Sequence, residues 1–127
     1  MKTIIFTLCD GAFNYDGRLT VVGTYDQMKM TSIPGNANAN FALKFRVPVN
    51  ELGQSATIRV EFQDMNDNPI SDGISKSIAI PASDTGSIHL AMAGSVKLNV
   101  AEAGKHKMIC YINDCQVEEL VFSISSQ

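Results

Sequence analysis

The sequence predicts an all-β protein, an antiparallel β-sandwich of about seven to nine strands with immunoglobulin-like architecture. Two observations predict this class. Apolar residues alternate with polar ones along most of the 127 residues, and the 3.6-residue period of an amphipathic helix is nearly absent. Turn-forming residues separate the alternating runs at intervals of about 8–12 residues, which is typical of sandwiches and barrels.

The first apolar run, from Ile4 to Cys9, is either part of a secretion signal or the first strand. A signal peptide needs an apolar stretch of about 7–15 residues and a small-residue cleavage site. Here Thr7 interrupts the run and Asp10 ends it before any such site. We therefore expect a strand and a cytoplasmic protein. No other stretch approaches the roughly 20 apolar residues of a membrane span, so no membrane partner is expected.

Five later segments show the alternation most clearly. In each, every second residue is apolar and would face a core, while its neighbours face water, as in antiparallel sheets with one buried face. These segments are Phe41–Val47, Ala56–Phe62, Ile88–Met92, Met108–Ile112 and Leu120–Ile124.

Turn signals lie between the runs. Asn113-Asp114 suits a two-residue hairpin loop, because Asn and Asp tolerate positive φ. The Asn-Ala-Asn-Ala-Asn segment from Asn36 is predicted to be the longest loop. No repeat or linker is found, so residues 1–127 are expected to form a single domain. The other turn signals are Asp16-Gly17, Pro34-Gly35, Gly53-Gln54, Asn66 to Pro69, Asp84 to Gly86, and Gly104.

Charge and cysteine content exclude several classes of protein. The net charge is -3 and the basic residues are scattered, so no basic stripe is available for nucleic acid. Three cysteines without C-x-x-C spacing match neither a zinc site nor a disulfide framework. If Asn113-Asp114 is the loop, Cys110 pairs with Val117 and lies too far from Cys115 for a disulfide. We expect three free thiols.

The segment TLCDGAFNYDGRLTVVGTYD combines Cys-Asp, Gly-Arg-Leu and Gly-x-Tyr-Asp in a fixed order. Together with TIRVEFQDMNDNPI and GKHKMICYINDCQVEELVFSI, it resembles an uncharacterised bacterial β-sandwich family, the domain of unknown function 6941. The resemblance implies a sandwich fold and carries no established activity. The matching positions in the first segment are Cys9, Asp10, Gly17, Arg18, Leu19, Gly23, Tyr25 and Asp26.

One segment has the spacing of a calcium loop. Asp64, Asn66 and Asn68 match the first three side-chain positions of an EF-hand. Pro69 then replaces the required Gly, and Ser75 stands where the bidentate Glu should be. We therefore predict a hairpin turn that holds no calcium.

Catalytic and cofactor signals are weak. His89 and His106 lie in separate strands without metal-ligand spacing. There is no G-x-S-x-G motif and no Gly-rich phosphate loop leading into a helix. We expect no cofactor, no metal and no enzymatic activity.

The first loop predicted by the sequence is a candidate interaction loop, because it carries two large aromatic residues among Asp, Gly and Asn. In one interpretation the aromatics form an exposed recognition patch. In the other, which is favoured, Phe13 plugs the open end of the core and Tyr15 lies over it. The candidate residues are Asp10, Phe13, Tyr15 and Asp16.

The last strand, from Val117 to Ser126, is a candidate for self-association. Its charges, Glu118 and Glu119, lie near its start, so an edge position would leave its second half undefended. A homodimer would then form there, and the alternative is a monomer in which this strand is internal. The contact residues would be Val121, Phe122 and Ser123.

These observations favour a non-enzymatic interaction or structural module, with an unknown protein or a second copy as its partner. The alternative is a module that binds a small ligand or carbohydrate in a pocket between the end loops. An enzyme ranks third.

Overall fold

The structure is a computed structural model that describes residues 1–15 and 18–127. Nine β-strands lie within these residues, and they form two sheets packed face to face. The predicted all-β sandwich is confirmed. The strands are β1 (Lys2–Tyr15), β2 (Arg18–Tyr25), β3 (Gln27–Met30), β4 (Gly35–Val47), β5 (Ser55–Asp64), β6 (Ile74–Ala79), β7 (Ile88–Val100), β8 (Gly104–Ile112) and β9 (Cys115–Ser126).

Sheet A has the strand order β2-β1-β4-β7, and sheet B has the order β3-β9-β8-β5-β6. All pairs are antiparallel except β3 with β9, which run parallel. The chain leaves sheet A after Tyr25 and joins sheet B at Gln27. At this crossover the Ser123 N–H donates to the Asp26 carbonyl at 2.9 Å.

Helical structure is confined, in the described part of the chain, to a single 3-10 turn over Val49–Glu51. No helix among residues 1–15 and 18–127 has the length and apolar character needed to cross a membrane.

The inner faces of the two sheets form one hydrophobic core. Phe41 of sheet A lies 6.0 Å from Phe62 of sheet B, and Phe62 lies 6.4 Å from Phe122, measured between ring centroids. Gly94 of β7 makes room for Phe41, because a Cβ at position 94 would overlap the Phe41 ring. The side chains of Ala56 to Phe62 alternate in burial, as the sequence predicted, and those of Phe41 to Val47 do so except at Ala42, which is also buried.

The prediction of a long loop from Asn36 is wrong. These residues lie in β4 and pair with β7, from Gly35 with Val100 to Asn40 with Ser95. Ala37 and Ala39 face the core, so the segment alternates like any strand, but small Ala side chains give a weak apolar signal. The long connections are instead residues 65–73 and 80–87.

The Asn113-Asp114 hairpin is confirmed, with φ of 50° and 66° at the two loop residues. The register then shifts by one residue, so Cys110 pairs with Glu118 and not with Val117 as predicted. The bulge could not be read from the alternation alone. All three thiols are free in the structure, and Cys115 is the exposed one. The Asp16-Gly17 turn lies outside the described residues.

Candidate functional site

The two halves of β1 have different neighbours. The first half pairs with β4 from Lys2 to Cys9, and the second half pairs only with β2. Where pairing with β4 ends, Asn40 Nδ2 donates to the Asp10 carbonyl at 3.0 Å. Asn14 Nδ2 then donates to the Ala91 carbonyl of β7 at 3.0 Å. The hairpin formed by residues 10–15 and 18–24, here called the arm, therefore crosses β4 towards β7.

The arm lies on the outer side of sheet A. Ala42 points away from the core, since its neighbours Phe41 and Leu43 point into it, yet Ala42 is completely buried. Cys9 is also completely buried without belonging to the central core. Both side chains face outward from the sheet, on the side that the arm crosses, and we infer that the arm covers them.

The base of the arm is built from residues of the family-like motif. Gly23 has φ of +65°, and a Cβ at this position would overlap the carboxylate of Asp10. Tyr25 lies beside them, and burial, with the nearby Cys9 and Asp10, raises the pKa of its hydroxyl. Burial likewise raises the pKa of the Cys9 thiol. Gly23 is thus required by its φ and by the space that Asp10 occupies.

The outward face of the arm carries three large apolar side chains. Phe13, Tyr15 and Val22 are 64%, 82% and 53% exposed. Residues directly opposite in an antiparallel pair point to the same side, and Val22 lies opposite Gly11. Phe13 Cε2 lies 4.0 Å from where a Cβ of Gly11 would be, so its ring leans towards Val22. We call this surface the arm face; its residues are Phe13, Tyr15, Arg18, Thr20 and Val22.

The structure changes how the first segment is interpreted. Asp10, Phe13 and Tyr15 lie in a strand and not in a loop, and Asp16 lies outside the described residues. The favoured interpretation, in which Phe13 plugs the core and Tyr15 covers it, is wrong. The second half of β1 bends away from the core, so its alternation places the aromatics in solvent. Sequence reasoning missed Val22, although its spacing of two and four residues from Thr20 and Arg18 places it on the same face as these polar residues and was a usable signal.

The candidate edge at the end of β9 is covered. Ser123 pairs with Gln27 of β3, and the parallel pairing continues to Ser126. Phe122 is 1% exposed and belongs to the core, whereas Val121 is 44% exposed on the outer face of the sheet. The alternative, in which this strand is internal to its sheet, holds for residues 123–126, where the short strand β3, which was not foreseen, supplies the second partner. Val121 and Phe122 have no strand partner on that side among the described residues. Residues 115–122 of β9 have no second strand partner among the described residues, and Glu118 and Glu119 lie there.

The segment after β5 is a turn, as predicted. Asp64 Oδ1 accepts from the backbone N–H groups of Asn66 and Asn68, both at 2.9 Å. Asp64 Oδ2 accepts from Asn68 Nδ2 at 3.2 Å. These hydrogen bonds, above all that from the Asn68 backbone, lower the pKa of the Asp64 carboxyl. The carboxylate therefore holds the turn itself.

The fold and the arm together define the class of protein: it is a two-sheet sandwich whose outer face is crossed by a β-hairpin. A family model, described as a family of unknown function (DUF6941), matches residues 4–125. The chain belongs to this family. The family membership that the sequence indicated is thereby confirmed, and most of the first motif lies at the base of the arm.

Comparison with solved structures finds distant likenesses. A glycosyl hydrolase family 2 member from Bacteroides cellulosilyticus superposes with a TM-score of 0.47 at 8% identity, over 68% of this chain and 12% of that one. The alkylpurine DNA glycosylase AlkC of Pseudomonas fluorescens, bound to DNA with an abasic site analogue, has a TM-score of 0.36 at 11% identity, over 78% and 27%. This chain thus spans a small part of either protein. No curated protein matches the chain.

Proposed function

We propose that the domain is a non-enzymatic interaction module that binds a protein partner through the arm face. The observation that carries this proposal is the exposure of Phe13, Tyr15 and Val22 on one side of the arm. Single exposed apolar residues are ordinary on protein surfaces, but three large ones together on one side of a single hairpin are typical of an interaction site.

The composition of the arm face also supports a protein partner. Tyr and Arg are enriched among the residues that dominate binding energies, and Tyr15 lies directly opposite Arg18. The hairpin presents these side chains on paired strands, so few backbone degrees of freedom remain to be ordered on binding. The two hydrogen bonds from Asn40 and Asn14 fix the arm to the sandwich.

The test is quantitative affinity purification of the tagged protein from its native host, followed by reconstitution of any complex from purified components. Phe13→Ser and Tyr15→Ser should each lower the affinity of the reconstituted complex by about 30-fold or more, as expected at a binding hot spot. Val49→Ser is the matched control, because Val49 is 62% exposed on the 3-10 turn, outside the arm. A partner that binds all three variants equally, or no stoichiometric partner, would contradict the proposal.

Self-association is a second candidate, and β7 supports it better than the end of β9. β7 pairs with β4 along its whole length, and no described strand pairs with its other side. Between His89 and Lys97 its residues carry no charge, so seven consecutive positions lack charged edge protection, although Asn14 of the arm reaches the Ala91 carbonyl among them. Ser95→Lys, at an exposed position of this stretch, should lower dimer content in light scattering coupled to gel filtration, and Val121→Lys should not. A wild type that is monomeric at tens of micromolar, a concentration typical of weak dimers, excludes this candidate.

A further inference from the structure

A cavity of about 280 Å³ lies at one end of sheet B, between the turn after β5 and the residues that lead into β8. It is separate from the arm face, because the two share no residue. Its wall combines polar side chains with apolar ones. The polar side chains at the cavity are Asp64, Asn66, Asn68, Glu102, Lys105 and His106.

His106 is the buried polar group at this cavity. It is 4% exposed, and its ring stacks on Phe122 with centroids 5.9 Å apart. Nδ1 lies 2.9 Å from the Gly104 carbonyl oxygen. A carbonyl can only accept, so Nδ1 carries the proton and donates. In the neutral ring Nε2 is then a bare acceptor.

Nε2 makes no hydrogen bond with any residue of the described chain. Two side-chain polar atoms of the described residues are completely buried and have no hydrogen-bond partner, namely Thr3 Oγ1 and Arg59 Nε. His106 Nε2 is not one of them. Nε2 is therefore not completely buried, and His106 is one of the residues that line the cavity. A buried ring with a free acceptor at a cavity wall is a site that a donor group can satisfy.

Asp64 adds further acceptors beside it. Asp64 pairs directly with His106 across β5 and β8, so the two side chains lie on the same face. Oδ1 already accepts two hydrogen bonds and Oδ2 accepts one, which leaves acceptor capacity on Oδ2. The inner part of the cavity therefore offers hydrogen-bond acceptors and favours a ligand that carries hydroxyl or amine donors.

We infer that this cavity binds a neutral polyhydroxylated small molecule of the saccharide or cyclitol type. A hydroxyl donates to Nε2 or Oδ2 without bringing a charge into the cavity, and it also accepts from Lys105 or an Asn amide. Lys105 opposes a cationic ligand, and Asp64 with Glu102 opposes an anionic one. Ile70 and Met65 supply apolar surface for the ring carbons.

The test is titration of the full chain, followed by ¹H–¹⁵N NMR of backbone amides and of the imidazole nitrogens. The probes are D-glucose, D-galactose, D-mannose and myo-inositol at millimolar concentrations, with methylammonium and acetate as charged probes. At least one polyol should shift the His106 Nε2 resonance and the amides of Asn66 and Asn68 in a saturable manner. This readout needs no variant.

His106→Phe keeps a ring against Phe122 and removes Nε2, so the same polyol should bind about tenfold more weakly, the value of one lost hydrogen bond. His89→Phe is the matched control, because His89 is exposed and does not line the cavity, and it should bind as the wild type does. The inference is overturned if no polyol gives a saturable shift, if only a charged probe binds, or if His106→Phe leaves the affinity unchanged. None of these results bears on the arm face.

Discussion

The two halves of β1 belong to one strand with one alternating pattern, yet they have opposite environments. Leu8, in the first half, is completely buried in the core between the sheets. Phe13 and Tyr15, in the second half, are mostly exposed. The difference lies in the partner strands, because the first half is held by β4 and the second half leaves it after Cys9.

This comparison shows that alternation defines two faces of a strand without saying which face meets the core. The same period-two pattern serves a sheet that closes a core and a hairpin that crosses the outside of that sheet. The change of environment occurs at Asp10, where the side chain of Asn40 replaces the next backbone partner.

The largest expected effect contrasts the two halves directly. Leu8→Ala should lower the free energy of unfolding by about 2–5 kcal/mol, because it leaves a cavity in the core. Phe13→Ala should change it by less than about 0.5 kcal/mol, because the side chain contributes little buried surface. Urea unfolding followed by circular dichroism measures both. Similar losses for the two variants would show that the arm face is packed and not exposed.

The base of the arm should be the next most sensitive position. Gly23→Ala should cost about 1–3 kcal/mol, since φ is positive there and the new methyl group meets Asp10. Asp10→Ala should relieve the overlap but not the backbone strain, so Gly23→Ala should cost less in that background. A double-mutant cycle by urea unfolding gives the coupling, and additive effects would refute the contact.

Detaching the arm should have a smaller effect on global stability. Asn40→Ala removes the hydrogen bond to the Asp10 carbonyl and should cost about 1 kcal/mol. Because the arm covers Cys9, alkylation of Cys9 in the folded protein should also accelerate, as followed by peptide mass spectrometry. Asn38→Ala is the control, since Asn38 is exposed on the same strand and its side chain has no hydrogen bond in the described chain. Equal Cys9 labelling in both variants would mean that Asn40 does not hold the arm.

The smallest expected effect is a dependence of stability on pH that arises from Cys110. Burial raises the pKa of Cys110 from 9.0 to about 11, with Glu118 adding to the effect. The folded state therefore retains the proton longer than the unfolded state, and this stabilisation is complete below pH 9 and is lost as pH rises towards 11. Cys110→Ala should flatten the fall in the free energy of unfolding between these values.

Three thiols per chain should titrate in denaturant without reductant, and a lower count would indicate a disulfide.

Much of the fold follows from the sequence because large apolar residues alternate with polar ones along the central strands. Phe41 to Val47 and Ala56 to Phe62 could be assigned a buried face without further information. Asn36 to Asn40 could not, since Ala37 and Ala39 are too small to stand out from their polar neighbours. The four-residue strand β3 carries almost no pattern, and its partner lies far away in the sequence.

The candidate sites were less predictable. The aromatics of the arm could be singled out from composition, but their exposure depends on a bend set by Asn40, a residue distant in sequence. The cavity at His106 depends on a tautomer fixed by the Gly104 carbonyl and on the turn at Asp64. The Gly104 and Asp64 contacts are local, and the turn at Asp64 was predicted, but the cavity forms only where the fold brings that turn next to His106. The contact of Asn40 with Asp10 joins residues 30 positions apart and has no local sequence signature.

The parallel pairing of β3 with β9 has a consequence for the order of folding. Gln27 pairs with Ser123, so a strand from the first quarter of the chain can pair only once the last few residues are available. Loop closure over such a separation is entropically costly and slow, and a sandwich dominated by such contacts is expected to fold in milliseconds to seconds. On the ribosome, residues 27–30 emerge long before their partner. Until it arrives, the nascent chain carries an unpaired segment ending in Met30, a residue buried in the finished core, that a chaperone can bind.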